Sequence, residues 1–216
     1  MRRHRRAPRR RGSRRGFTLL ETMLTLVIVA VGVAGVFDAY QNFFRANDWS
    51  TRTATASLLA AEIRELSRAF PRHDAVTGLT EDSGAAVGWG LEPGEVTIDD
   101  FDDLDDLDGV RFTFSGTNAA SLEFAGPVNA AGDLIPQYVI TATDSASGAE
   151  FTFGWQQEVV VEKVNPFDYS DVVTDAHSTA DLEIDEFPLR VTVIVSYQDL
   201  LDAGPVEVTR VSWIVP

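Results

Sequence analysis

Apolar residues run almost unbroken from Phe17 to Phe37, then thin into a periodic pattern, then alternate with polar ones. The first run has 21 residues. As a helix it would span roughly 30 Å, about one bilayer core. From 38 to 70 the chain contains neither Pro nor Gly, and Leu59, Ile63, Leu66 and Phe70 recur at the spacing of one helix face. Pro71 cannot continue a helix and marks its end. The two segments read as one helix over 17–70, roughly 80 Å long. A break near 47–50 is the alternative.

Beyond Pro71 the pattern changes. Residues 71–109 are rich in Gly and acids and read as a loop region. β signals, several of them alternating with period two, then predict strands over 110–115, 121–124, 137–143, 151–164, 189–197 and 206–215. Gly, Asn, Asp and Pro cluster between them. Residues 165–188 are irregular and acidic and read as a surface loop. The expected fold class is α+β: a long N-terminal helix, its first half transmembrane, packed on an antiparallel sheet head over 110–216.

Charge adds an orientation. Residues 1–16 hold nine of the 18 basic residues and no acid, leaving nine bases against 33 acids and a net charge of -24 on the rest. Arginines on one flank of an apolar span place the N-terminus in the cytoplasm and the body outside. An acidic body repels phosphate backbones, so nucleic acid is not an expected partner. With no cysteine in the chain, disulfides, thiolate metal sites and cysteine nucleophiles are excluded.

One residue conflicts with a plain membrane anchor. Glu21 lies inside the apolar run, and an unpaired charge at mid-bilayer costs about 3 kcal/mol, less near the end. A cleaved export signal does not account for it. Ser13 to Phe17 begins like a twin-arginine pattern, but no small-x-small cleavage site follows the run.

Gly16-Phe17-Thr18-Leu19-Leu20-Glu21 resembles the prepilin signature of type IV pilins and type II secretion pseudopilins. The resemblance implies that prepilin peptidase cuts between Gly16 and Phe17 and methylates the new Phe17 amine. It implies that 1–16 is a cleaved leader, that 17–37 is both membrane anchor and filament-core helix, and that 38–70 is its amphipathic continuation. Glu21 becomes the fifth mature residue, where the family carries its glutamate. Paired with the Phe17 amine of a neighbouring subunit, it would favour axial register, because docking removes the cost of the lone charge. The implied partners are other pilin subunits, the peptidase and the bacterial inner membrane. The head would be periplasmic and later part of a filament or the cell surface. Many major pilins have a proline near the end of this run; here Asp38 stands there, with Gly32 and Gly35 as helix weakeners. The lack of cysteine leans toward a minor pilin or pseudopilin. The rival class is a single-pass anchored β domain that binds a ligand or Ca²⁺ and never polymerises.

The head carries one conspicuous acidic segment: Asp99, Asp100, Asp102, Asp103, Asp105, Asp106 and Asp108. Ca²⁺ takes six to eight oxygens, which such a run can supply. The spacing is not that of an EF-hand, since Leu104 stands where an aspartate would be needed. Phe101, Leu104 and Leu107 recur every third residue, which predicts a 3₁₀ or helical turn with an apolar edge on the head and the acids facing out. The readings are, in order, a solvated acidic face, a Ca²⁺ site, and a partner-docking surface. No other cofactor is expected. Residues 88–94 are Gly-rich but lack the strand and helix of a nucleotide loop. His4, His73 and His177 are scattered. His73 with Asp74, and Asp175 with His177, read as surface pairs. No nucleophile-elbow or zinc-helix motif occurs, and no enzyme is expected.

Overall fold

The computed structural model describes residues 17–74, 76–83, 85–116, 119–143, 145, 148, 150–174 and 182–216. The helix α1 spans Leu19–Ser67 without interruption through Asp38 and 47–50. Thr18 starts it: its Oγ1 accepts from the Glu21 backbone N–H at 3.3 Å, satisfying one of the donors a first turn leaves open. The helix ends three residues before the expected Phe70. There the N–H groups of Arg68 and Ala69 turn to the carbonyls three residues back, at 3.2 and 3.0 Å, tightening the last turn ahead of Pro71.

The chain divides into two compact units, 1–49 and 50–216. Within the first, the described residues from Leu19 on are helical and all are exposed. The helix is long and apolar enough to cross a membrane by length and composition, and none of its apolar stretch is buried. Two of its threonine hydroxyls are satisfied within the helix. Thr22 and Thr25 Oγ1 donate to the carbonyls of Leu19 and Glu21 at 2.8 and 2.7 Å, as a hydrocarbon environment demands.

The second unit is the head. A hairpin pairs β1 (Thr80–Asp82) with β2 (Ala85–Val87). The main sheet comprises β3 (Arg111–Thr113), β4 (Glu123–Ala125), β5 (Val139–Thr143), β6 (Glu150–Asn165), β7 (Asp168–Val172), β8 (Leu189–Gln198) and β9 (Val206–Val215). Its path is β4-β3-β6-β8-β9, and β5 and β7 also pair with β6. The 16-residue β6 therefore organises the sheet: β8 covers one edge, while β5, β3 and β7 share the other. All pairings are antiparallel except β3 with β4, which run parallel. The expected six strands are present. The hairpin β1–β2 and strand β7 lie in segments expected to be loop; both are short and exposed, so neither shows the apolar alternation that marks a half-buried strand.

One apolar cluster holds the head together. On α1 it takes Leu59, Ile63 and Leu66 of the stripe foreseen above, with Ala56 and Ala60 beside them, while Phe70, the stripe's last member, is partly buried against the cluster. On the sheet it takes Trp155, Val159 and Val161 of β6 and Leu189, Val191, Val193 and Val195 of β8, which alternate along each strand. Leu59, Ile63, Val159 and the four β8 residues are fully buried, and each such side chain contributes about 1.5–3 kcal/mol by leaving water. Gln157 interrupts the apolar face of β6 and is fully buried. Its Nε2 donates to the carbonyls of Leu59 and Val128 at 2.9 and 3.1 Å, and its Oε1 accepts from Val128 N–H at 2.8 Å. A single amide thus ties helix, sheet and the 127–135 loop, and both its oxygen and its nitrogen are hydrogen-bonded.

Candidate functional site

Two regions carry chemistry. The first is the start of α1. Gly16 and the leader lie outside the described residues. Phe17 opens the described chain and is three-quarters exposed. Glu21 sits in the first helical turn, three residues after the capping Thr18. A carboxylate there also faces the positive end of the helix dipole. Glu21 therefore has a local reason to be an acid, apart from any neighbour. Further along, Tyr40, Phe43 and Phe44 form an exposed aromatic group, with ring centroids at 6.5 Å for Tyr40–Phe44 and 6.0 Å for Phe43–Phe44.

The second region is the aspartate segment, and its geometry differs from the expectation. Phe101, Leu104 and Leu107 do pack inward. The acids do not all face out: Asp103, Asp105 and Asp106 are fully buried. The reason is local. The 3₁₀ turns cover only Ile98–Asp100 and Asp105–Leu107, and the residues between them form a reciprocal clasp. Asp103 Oδ1 accepts from the N–H groups of Asp105 and Asp106 at 2.9 and 3.1 Å. Asp106 Oδ2 accepts from those of Asp102 and Asp103 at 3.0 and 3.2 Å. Short Asp side chains readily take backbone donors in turns, and here that pulls them inside.

The other four acids take separate roles. Asp100 Oδ2 accepts from Val96 N–H, Thr97 N–H and Thr97 Oγ1. Asp108 accepts from Trp89 Nε1 at 3.0 Å and from Val161 N–H at 2.9 Å, so it joins the 88–91 loop to β6. Asp99 and Asp102 are exposed.

The buried acids meet residues from two other segments. His73 pairs with Asp105 rather than with its neighbour Asp74: Nδ1 lies 2.9 Å from Asp105 Oδ2, and the ring is nearly buried. Asp175 and His177 lie outside the described residues. Lys163 of β6 places its ammonium 4.7 Å from the Trp89 ring centroid. His73, Asp103 and Asp105 offer ligand atoms within 4.8 Å of one another, and so do Glu92, Glu95 and Asp106. No signal in the sequence marked Glu92, Glu95 or Lys163; they converge only through the fold.

The electrostatics follow from this crowding. Burial pushes Asp103 up to about 7, and its contact with Asp105 adds to the rise; burial pushes Asp105 up to about 6, helped by the charge of Asp106 and opposed by its hydrogen bond to Asp103. Burial also raises Asp106. Glu92 is pushed up to about 7 by burial, then by the carboxylate of Glu95. Burial and the Arg72 guanidinium lower His73. A carboxyl whose folded pKa is raised keeps a proton that the unfolded chain has lost, so its contribution is fully present near pH 4 and disappears as pH rises through about 7. His73 acts oppositely but is one group against four. The cation-free head is therefore expected to lose stability from pH 5 to pH 7.5. Urea midpoints of the detergent-solubilised chain in excess chelator, at pH 5, 6 and 7.5, check this; a midpoint that stays level or climbs refutes it.

An open apolar depression of about 620 Å³ is bordered by Ile98, Phe112, Phe124, Val128 and Leu134. Its one acid, Glu123, is paired with Arg111 at 2.7 Å, so the depression gathers no free polar chemistry.

Residues 11–37 match the family model of the prokaryotic N-terminal methylation motif. No curated protein and no solved structure matches the chain. The matched segment spans the Gly16-Phe17 junction, Glu21 and the apolar first part of α1. The motif and the unburied apolar helix fit a membrane-anchored, single-pass protein.

Proposed function

From the N-terminal methylation motif, the hallmark of type IV pilins and pseudopilins, we propose that this chain is a minor pilin or pseudopilin. It is a structural subunit of a type IV pilus or type II secretion filament. Prepilin peptidase cuts it after Gly16 and methylates Phe17. The helix anchors it in the inner membrane with the head periplasmic, and then enters a filament core. Glu21 compensates the amine of an adjacent subunit. The observation that carries this reading is the motif running directly into an apolar helix with no partner of its own.

Intact mass and N-terminal sequencing of protein purified from native membranes test the proposal. The expected chain starts at Phe17 and is heavier by one methyl group. A chain that keeps its arginine leader, or starts beyond Phe37, rejects it. The second reading, an anchored head that binds a ligand or Ca²⁺ without polymerising, draws on the buried acid cluster. It predicts a monomeric protein whether or not the leader is removed.

A further inference from the structure

We propose that Glu92, Glu95 and Asp106 form a calcium site in the head. Two oxygens bound to one Ca²⁺ at 2.3–2.6 Å can lie no more than about 5 Å apart. The three carboxylates offer oxygens within 4.8 Å of one another. Asp106 is held in place from behind: Oδ2 is occupied by the N–H groups of Asp102 and Asp103. The side chain is fully buried, and its Oδ1 has no hydrogen-bond donor. Glu92 Oε1 is likewise buried without a donor. Glu95 Oε2 accepts the Glu92 backbone N–H at 2.6 Å, which draws the two glutamates together. Buried carboxylate oxygens normally find donors or a cation.

The choice between the two clusters rests on counter-charge. His73, Asp103 and Asp105 already contain an imidazole in contact with a carboxylate, and Lys163 acts on that ring. The other charges acting most strongly on Glu92 are Glu95, Asp106 and Asp103, all acids. Three like charges in contact require protons or a cation. The donor set is all oxygen, which selects a hard ion over zinc. Ca²⁺ tolerates irregular carboxylate geometry, whereas Mg²⁺ demands a near-ideal octahedron. The ion would fasten the 88–95 loop to the turn that carries Leu104 and Leu107 into the core.

The test uses the full-length chain in detergent, stripped with chelator and titrated with Ca²⁺ by calorimetry. One ion per chain is expected to bind and to raise the melting temperature. Glu95→Gln, at a half-buried position, is expected to weaken binding at least tenfold with circular dichroism unchanged; Asp106→Asn is expected to do the same. Glu81→Gln, on the exposed hairpin, is expected to bind like the wild type. A stripped, folded chain that takes up no Ca²⁺ overturns the proposal, because the cluster is then neutralised by protons alone. So does Ca²⁺ uptake that both Glu95→Gln and Asp106→Asn leave intact. Uptake of Zn²⁺ or Mn²⁺ but not Ca²⁺, lost in His73→Ala and kept in Glu95→Gln, moves the site to the other cluster and also overturns it. None of these readouts depends on leader cleavage or assembly, so the calcium site and the filament reading fail separately.

Discussion

Glu21→Gln is expected to leave the chain inserted in the membrane and absent from filaments. Glutamine keeps a side-chain oxygen and the length of glutamate, so the first turn of α1, capped by Thr18, is undisturbed. Only the charge is lost. The monomer should then insert at least as well, because a neutral amide is cheaper to place in lipid than a carboxylate. Assembly is where the charge matters. An amine of Phe17 buried beside glutamine stays uncompensated, and breaking a buried pair costs about 3–5 kcal/mol. That is a loss of more than 100-fold in association at each contact. Glu21→Gln and Glu21→Ala both forgo the interaction of the first-turn charge with the helix dipole, about 1 kcal/mol or less and well below the cost of the broken pair. Filament incorporation, measured by shearing and immunoblotting beside membrane fractionation, separates the two roles. Equal failure of both variants assigns the effect to the pair. Wild-type incorporation of Glu21→Gln reduces Glu21 to a helix-end acid and removes the case for register by charge.

Long-range order in the chain was legible wherever one physical signal repeats. The stripe Leu59, Ile63, Leu66 predicts the buried face of α1, and alternation in β6 and β8 predicts the sheet that receives it. The prepilin-like hexapeptide lies within the matched motif because its information is local. What escaped was set by tertiary contacts between unlike segments. Asp103, Asp105 and Asp106 read as solvated acids because charge runs usually are. Asp103 and Asp106 are buried with oxygens that take backbone donors within the turn, and Asp105 is buried against His73, which no count of charges reveals. His73 read as a neighbour of Asp74 but pairs with Asp105, 32 residues away. Glu92 and Glu95 looked like ordinary loop acids until the turn brought Asp106 to them. Gln157, which no signal in the sequence marked, is hydrogen-bonded inside the core to Leu59 and Val128.

This contrast bears on how the two units divide their tasks. Among its described residues the first unit is helical from Leu19 on, with its apolar surface uncovered. Nothing within it rewards that exposure except lipid or other helices, since water penalises it at roughly 25 cal/mol per Å². The head buries one apolar cluster between its own helix segment and its own sheet. On the proposed filament role, such a chain would move from bilayer to helical bundle without repacking the apolar cluster of its head. Damage to the head core should accordingly appear as instability of the head before any change in anchoring.

Gly154→Ala makes that separation measurable and is expected to lower the head's melting temperature by roughly 4–20 °C. Gly154 lies in β6 where three strands cross, paired with Val139 of β5 and Gln198 of β8. Its φ is +145°, and a Cβ there would stand 2.2 Å from the Tyr138 carbonyl oxygen. That oxygen belongs to the backbone and has no rotamer to yield. Retreat is blocked on the far edge by β8. Backbone strain of about 1–2 kcal/mol and overpacking of about 1–3 kcal/mol combine, and in a unit of this size each kcal/mol moves the melting temperature by about 2–4 °C. The glycine in Phe153-Gly154-Trp155 is therefore required by the approach of β5 and does not merely weaken the strand. Gly204→Ala is the control: nothing lies within 4 Å of its added methyl group, so its effect should stay within about 0.5 kcal/mol. Thermal melts of the detergent-solubilised chain, read in the tryptophan near-ultraviolet band, report the head, while membrane fractionation reports the anchor. A Gly154→Ala chain that melts within 2 °C of wild type, by the same scale less than about 1 kcal/mol, means that β5 can shift off β6. A chain that melts early but still fractionates with membranes establishes that the head is held by its own core and that the anchor does not depend on it.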